Sequence, residues 1–142
     1  MKNLIILGML VLSSPAISQN IIYCPPTVTC DAPRDFNSCS YNSDMFDKEN
    51  FQGKIEKGTY FLNHVWAGYE IDANNDEFNN LTRCQYANTI NDHLTKYIVL
   101  ISKRLLNADL TTKNSWVIYG DRAQCIINLQ DGQSCPMLQY GN

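Results

Sequence analysis

Six cysteines constrain the fold of this 142-residue chain more than any other feature of its sequence. They are Cys24, Cys30, Cys39, Cys84, Cys125 and Cys135. An even number of cysteines in a small exported domain is typical of a disulfide framework, whereas reducing compartments keep thiols free. The interpretation of these thiols therefore depends on the compartment, which the N-terminus indicates.

The N-terminus has the organisation of a secretory signal peptide. Lys2 forms a short positive region, and residues 4–12 are an apolar run that is followed by small residues. This pattern predicts cleavage before Gln19, which removes residues 1–18. A membrane anchor is the alternative, but nine apolar residues fall far short of the roughly 20 that span a bilayer. We therefore expect an exported protein, periplasmic or secreted, with no transmembrane anchor after cleavage.

The remaining chain, residues 19–142, is expected to form a single domain. Its 124 residues are close to the commonest domain size. Without Lys2 the chain carries 10 basic and 14 acidic side chains, a net charge of −4 with histidine neutral. This balance argues against nucleic-acid binding and against binding to anionic membranes, because both functions normally require a concentrated basic patch.

In an oxidising compartment the six cysteines predict three disulfides. Zinc sites need thiolates two to four residues apart, whereas here five, eight, 44, 40 and nine residues intervene. A redox C-x-x-C motif is also missing from the sequence. Six cysteines allow 15 connectivities. Locality favours Cys30 with Cys39 and Cys125 with Cys135, which leaves Cys24 for Cys84.

Short segments rich in aromatic and β-branched residues predict a mainly β fold. The longest is YFLNHVWAGYEI, residues 60–71, where strict alternation places Tyr60, Leu62, His64 and Trp66 on one face. Further strands are predicted at residues 81–87, 97–101, 116–119 and 125–129, and a short helix capped by Asn91 or Asp92 before Tyr97. We expect a single antiparallel β-sheet or sandwich domain stapled by disulfides, with a β-rich α+β arrangement as the alternative.

Several short motifs follow one another in an order found in a known group of proteins. They are Cys24-Pro25, Trp66-Ala67-Gly68, Cys84-Gln85-Tyr86, Trp116, and a closing Cys125 with Cys135-Pro136. In this order the chain resembles a family of small exported bacterial proteins of unknown function, which includes the type IV secretion-associated EirA proteins. The resemblance covers nearly all of residues 19–142, and Cys30 and Cys39 are additional to it. It implies an extracytoplasmic, disulfide-bonded module with an accessory role at a secretion apparatus, and it supplies no catalytic residues.

Residues 72–80, DANNDEFNN, form the segment most similar to a metal-binding loop. Asp72, Asn74 and Asp76 stand at alternate positions, as oxygen ligands do in an EF-hand. However, Glu77 occupies the position that requires glycine, and Arg83 stands where the bidentate glutamate belongs. We therefore predict a solvated turn here, with no bound metal or cofactor.

The two histidines offer little support for catalysis. His64 lies within an aromatic segment and is expected to be a core or subsurface residue, whereas His93 is in a polar stretch and is expected at the surface. Neither lies in an H-E-x-x-H motif, and the chain has no G-x-S-x-G sequence. We expect no catalytic residue, and a small secreted hydrolase is kept as an alternative.

Aromatic residues are the best candidates for a binding surface, because tyrosine and tryptophan commonly anchor protein interfaces. The candidates are Trp66, Trp116, Tyr119 and Tyr140, with core packing as their alternative role. We expect a non-catalytic exported binding or assembly module. Its partner is expected to be an envelope or secretion protein, or a second copy in a homodimer. A small secreted hydrolase and a periplasmic enzyme inhibitor are the alternatives.

Overall fold

A computed structural model of the chain describes residues 20–69, 81–89, 95–111, 116–127 and 134–139. The expected signal peptide, the segment DANNDEFNN, the helix after Asn91, His93 and Tyr140 lie outside these ranges. The eleven strands of the described residues are β1 (Asn20–Ile22), β2 (Thr27–Cys30), β3 (Cys39–Ser40), β4 (Phe46–Gln52), β5 (Gly58–Ala67), β6 (Arg83–Ala87), β7 (Tyr97–Ser102), β8 (Leu106–Ala108), β9 (Val117–Tyr119), β10 (Arg122–Ile126) and β11 (Met137–Gln139). Within the same ranges the one helical element is a 3-10 turn, Phe36–Ser38.

Every strand pairing is antiparallel, so the prediction of a mainly β, antiparallel fold is confirmed. The large sheet has the strand order β3-β2-β5-β6-β7-β4, and β10 joins β5 and carries β9. This sheet curls into a half-barrel. A small sheet has the order β1-β11-β8, and a single parallel bridge between Gly68 and Asn107 connects it to the end of β5.

Strand β5 organises the large sheet because it is long enough to pair with three strands. One edge pairs with β6, and the other edge is shared, with β2 along its first half and β10 along its second half. Between them, the N–H of Leu62 donates to the carbonyl of Pro26, and the carbonyl of Asn63 accepts from the N–H of Ile127. The position of β10, and of β9 beyond it, is therefore fixed by the second half of β5.

Strand β5 contains a β-bulge between Leu62 and His64, which the sequence analysis did not predict. The extra residue reverses the alternation, so that Tyr60 lies on the core face with Val65, whereas His64 and Trp66 lie on the outer face. Strict alternation placed Tyr60, Leu62, His64 and Trp66 together, which is wrong. A bulge changes which face a side chain occupies without changing the composition of the strand.

All six cysteines are paired, and the pairing that locality favoured is confirmed. The disulfides join Cys24 to Cys84, Cys30 to Cys39, and Cys125 to Cys135. All six side chains are buried. These disulfides link the N-terminal segment to β6, β2 to β3, and β10 to the segment that precedes β11.

Tyr86 on β6 makes a second connection to the N-terminal segment. Its side chain is fully buried, and its hydroxyl donates a hydrogen bond of 2.7 Å to the carbonyl of Pro25. Burial, and to a smaller extent the neighbouring Tyr41, raises the pKa of Tyr86 well above that of a free tyrosine. Thr82, just before β6, and Cys84 within it are fully buried as well.

Candidate protein-binding surface

The hairpin formed by β9 and β10 presents the three most exposed large apolar side chains of the described residues and a fourth that is half exposed. Tyr119 is 74% exposed, Val117 66%, Ile126 64% and Ile118 51%. We call these four residues the hairpin surface. Val117 and Tyr119 lie on one face of β9 and Ile118 on the other, because successive side chains alternate. Neither face of β9 is therefore covered, which is unusual for a strand composed only of apolar residues.

The turn of the hairpin is a tight two-residue connection between Tyr119 and Arg122. Gly120 has a φ of 66°, whereas Asp121 does not have a positive φ. This combination fits a type II′ turn, whose twist matches the twist of paired strands and which requires glycine at its first central position. The hydroxyl of Tyr69 donates to the carbonyl of Gly120 at 2.9 Å. The exposed hairpin is thus attached to the body of the protein.

The turn determines which backbone groups of β9 face outward. In a two-residue turn the carbonyl of Tyr119 accepts from the N–H of Arg122, so these residues form a hydrogen-bonded pair. Hydrogen-bonded and non-hydrogen-bonded pairs alternate in antiparallel sheets. Ile118, which is opposite Ala123, therefore directs its N–H and C=O away from β10. Among the described strands β9 pairs only with β10, so this edge offers both groups for further pairing.

The outer face of the large sheet continues the hairpin surface with two aromatic rings. Trp66, Gln124 and Val117 lie side by side across β5, β10 and β9, and His64 lies beside Ile126. The rings of His64 and Trp66 stack, with 4.0 Å between their centroids and 18° between their planes. Both rings are half-buried. The two stacked rings therefore lie beside the more exposed side chains of the hairpin.

Beyond Trp66 the outer face carries an ion pair. Arg83 is opposite Trp66 in the register of β5 and β6. Its Nε lies 2.9 Å from Oε2 of Glu49, whose residue sits in the bulge of β4. The two side chains are 16% and 21% exposed. Because the opposite charges are in contact, the apolar surface borders a neutralised pair rather than a net charge.

The structure places the aromatic candidates in different surroundings. Tyr119 and Trp66 lie on the same outer face, connected through Arg122 and Gln124 of β10. Trp116 is half-buried against the core, and its Nε1 donates to the carbonyl of Pro136 at 2.8 Å. That contact fastens the start of the hairpin to the segment before β11. Tyr140 lies outside the described residues.

Three residues of the hairpin surface were missed by the sequence analysis, namely Val117, Ile118 and Ile126. The runs WVIY and CIINL are apolar, and apolar runs predict buried strands. The one sequence signal for a hairpin is the Gly-Asp pair at residues 120–121, which separates the two runs. That signal indicates a turn, but it does not indicate that the strand before it lies at the exposed edge of a sheet.

The side chains that could bind a metal or take part in catalysis are considered next, within the described residues. In these parts of the chain, no group of three or more His, Cys, Asp and Glu side chains is arranged to hold a metal ion. His64 is engaged in its stack with Trp66. Asp72, Asn74, Asp76 and His93 lie outside the described residues.

As far as the structure describes the chain, it contains no helix that is long and apolar enough to cross a membrane.

Comparison with known proteins gives no relative for this chain. No family model matches the sequence, no curated protein matches it, and no solved structure matches it. The resemblance to the EirA proteins therefore stays a prediction. The functional argument depends on the geometry of the hairpin surface.

Proposed function

We propose that the protein is an exported, non-catalytic binding module that holds a protein partner through the hairpin surface. The observation that carries this proposal is the exposure of Val117, Ile118 and Tyr119, three consecutive apolar residues on an edge strand. Monomeric proteins commonly blunt such edges with charges, prolines or bulges, because an apolar edge pairs readily with other chains. β9 has none of these features.

The exposure of the hairpin surface supports a binding role. Val117, Tyr119 and Ile126 lie on one face of the hairpin and are 64–74% exposed, and exposed apolar patches are often functional. Tyrosine is among the residues that most often dominate binding energy. Backbone groups of Ile118 add directional hydrogen bonds, as when an extended segment adds a strand to a sheet edge.

The covalent framework supports an oxidising compartment for this protein. Three disulfides are typical of proteins that fold in oxidising compartments. Together with the signal sequence, they support a location in the periplasm or outside the cell. The resemblance to the EirA proteins supports an accessory role at a secretion apparatus. The proposed partner is therefore a protein of the same compartment, either an envelope or secretion component or a second copy of this chain.

Photo-crosslinking in the native envelope tests this proposal. A photoreactive phenylalanine replaces Tyr119, and a control carries it at Lys57, which is exposed and adjoins the opposite end of β5 from the hairpin. We expect defined protein adducts from position 119 that are missing from position 57, identified by mass spectrometry. No adduct at position 119, or the same adducts at both positions, would refute a binding role for the hairpin surface.

A further inference from the structure

We infer that the occupant of the hairpin surface is a second copy of this chain, joined by antiparallel pairing of β9 with β9 about a two-fold axis at Ile118. This inference rests on the proposed function, because it names the partner of the same surface. The result is a continuous sheet that runs across both subunits.

The backbone of β9 has the geometry that such a dimer requires. Ile118 directs both its N–H and its C=O to the unpaired edge, because it is opposite Ala123 in a non-hydrogen-bonded pair. When two copies approach antiparallel with Ile118 facing the partner's Ile118, each N–H meets the other carbonyl. One residue thus supplies both hydrogen bonds of a closed, reciprocal pair, as an isologous two-fold interface requires.

The side chains of β9 are complementary to themselves in this register. Ile118 lies beside the partner's Ile118 on one face of the joined sheet. On the other face, Val117 lies beside the partner's Tyr119, and Tyr119 beside the partner's Val117. Aromatic and β-branched residues are favourable cross-strand neighbours. All three cross-strand pairs are apolar, and no side chain is left opposite a charge.

Charge distribution distinguishes β9 from β4, which is another edge strand of the large sheet. β9 carries no charged residue, so two copies do not repel each other along the contact. The edge strand β4 carries Asp47, Lys48 and Glu49 in sequence and contains a bulge after Lys48. Charges and bulges on an edge oppose pairing with another chain. Of these two edges, β9 is therefore the one suited to self-association.

The area of the surface sets the strength of the dimer. Because the pairing joins two strands of three residues and leaves both faces of the sheet open, the contact buries less than the roughly 1,200–2,000 Å² of a stable, standard-size interface. The dimer is therefore reversible. Its population depends on the local concentration of the protein, as suits a module that assembles at an envelope site.

Sedimentation of the mature, disulfide-bonded protein over a range of concentrations tests the inference. We expect a shift from monomer to dimer as the concentration rises. I118K and I118E each place like charges at the two-fold axis and should be monomeric at every concentration. An equimolar mixture of I118K and I118E should regain the dimer, because opposite charges then meet at the axis. F51K, at another exposed apolar position, controls for loss of apolar surface and should dimerise normally.

Each outcome is decisive. Recovery of a dimer in the mixture shows that the variants are folded and that the axis passes through position 118. A wild-type protein that stays monomeric, a dimer that persists in I118K, or a mixture that stays monomeric while wild type dimerises overturns the inference. If wild type is monomeric but position 119 still crosslinks to a different envelope protein, self-association is wrong and the binding module remains supported. If position 119 gives no adduct, the proposed function fails as well.

Discussion

Strands β6 and β9 are both short and each contains one tyrosine, but they have opposite surroundings. β6 pairs with β5 and β7, and Tyr86 is completely buried. β9 pairs only with β10 within the described residues, and Tyr119 is 74% exposed.

The difference shows how the number of paired neighbours affects what a short strand does in this protein. A strand with neighbours on both edges has its backbone satisfied and its side chains enclosed, so it stabilises the fold. A strand with one neighbour keeps unpaired backbone groups and uncovered side chains, and both are available to another molecule. Removing interactions at β6 should therefore affect unfolding, whereas removing them at β9 should affect association.

Loss of the disulfide at β6 should have the largest effect. Replacing Cys24 and Cys84 by serine removes a bridge with a sequence separation of 60, which should lower the free energy of unfolding by about 4 kcal/mol in the loop-entropy description. Replacing Cys125 and Cys135, whose separation is 10, should lower it by about 2.7 kcal/mol. Urea denaturation measures both. If the second pair costs more than the first, the loop-entropy explanation is wrong.

The second largest effect is expected at alkaline pH, where Tyr86 on β6 should lower the free energy of unfolding. Burial holds the pKa of Tyr86 above the ordinary 10.0, so the unfolded chain loses this proton before the native chain does. Stability is therefore unaffected by Tyr86 below pH 10 and falls above it by about 1.4 kcal/mol per pH unit. This gives a loss of about 2 kcal/mol at pH 11.5.

Urea unfolding at pH 9 and pH 11.5 measures this loss, with Y86F as the matched variant. Y86F should show a clearly smaller decrease. A smaller slope should remain in Y86F, because burial and Asp47 also raise the pKa of Tyr41. An equal decrease in wild type and Y86F would show that the buried tyrosine is not the cause.

At the hairpin, G120A should have a moderate effect. Nothing lies within 4 Å of an added Cβ, so the cost comes from the φ of 66° and not from a clash. We expect the free energy of unfolding to fall by about 1 kcal/mol, with weaker self-association because the turn sets the direction of β9. D121A is the control, since that residue has no positive φ, and it should change stability by less than about 0.5 kcal/mol. Equal effects of the two variants would contradict the turn assignment.

Y119S should have the smallest effect on stability. The side chain is 74% exposed, so the free energy of unfolding should change by no more than about 0.5 kcal/mol. Association should nevertheless weaken severalfold, because Tyr119 supplies the largest side chain of the hairpin surface. Thermal unfolding and light scattering measure the two quantities on the same sample. A variant that melts much earlier would mean that Tyr119 belongs to the core.

The sequence was sufficient for the local and covalent features of the fold. Disulfide pairing followed from proximity along the chain for Cys30 with Cys39 and for Cys125 with Cys135. The strand at residues 97–101 is an apolar run that matches β7.

Features that depend on distant parts of the chain were not predicted. The sequence FDKENFQ of β4 is too polar to suggest a strand, because an edge strand need not bury both faces. The bulge at Leu62 arises where β5 exchanges one neighbour for another, which local alternation does not reveal. The exposure of Val117 and Ile118 depends on β9 being last in the pairing order, and that order is a property of the whole sheet.

The small sheet also determines when folding can be completed. Among the described strands β1 is first in chain order and β11 is last, and β11 lies in the middle of the small sheet, between β1 and β8. A polypeptide that emerges N-terminus first leaves both outer strands without their hydrogen-bonding partner until Met137–Gln139 arrive. In a chain that folds as it emerges, therefore, the disulfide between Cys24 and Cys84 can close early, whereas the small sheet forms only after Met137–Gln139 have emerged.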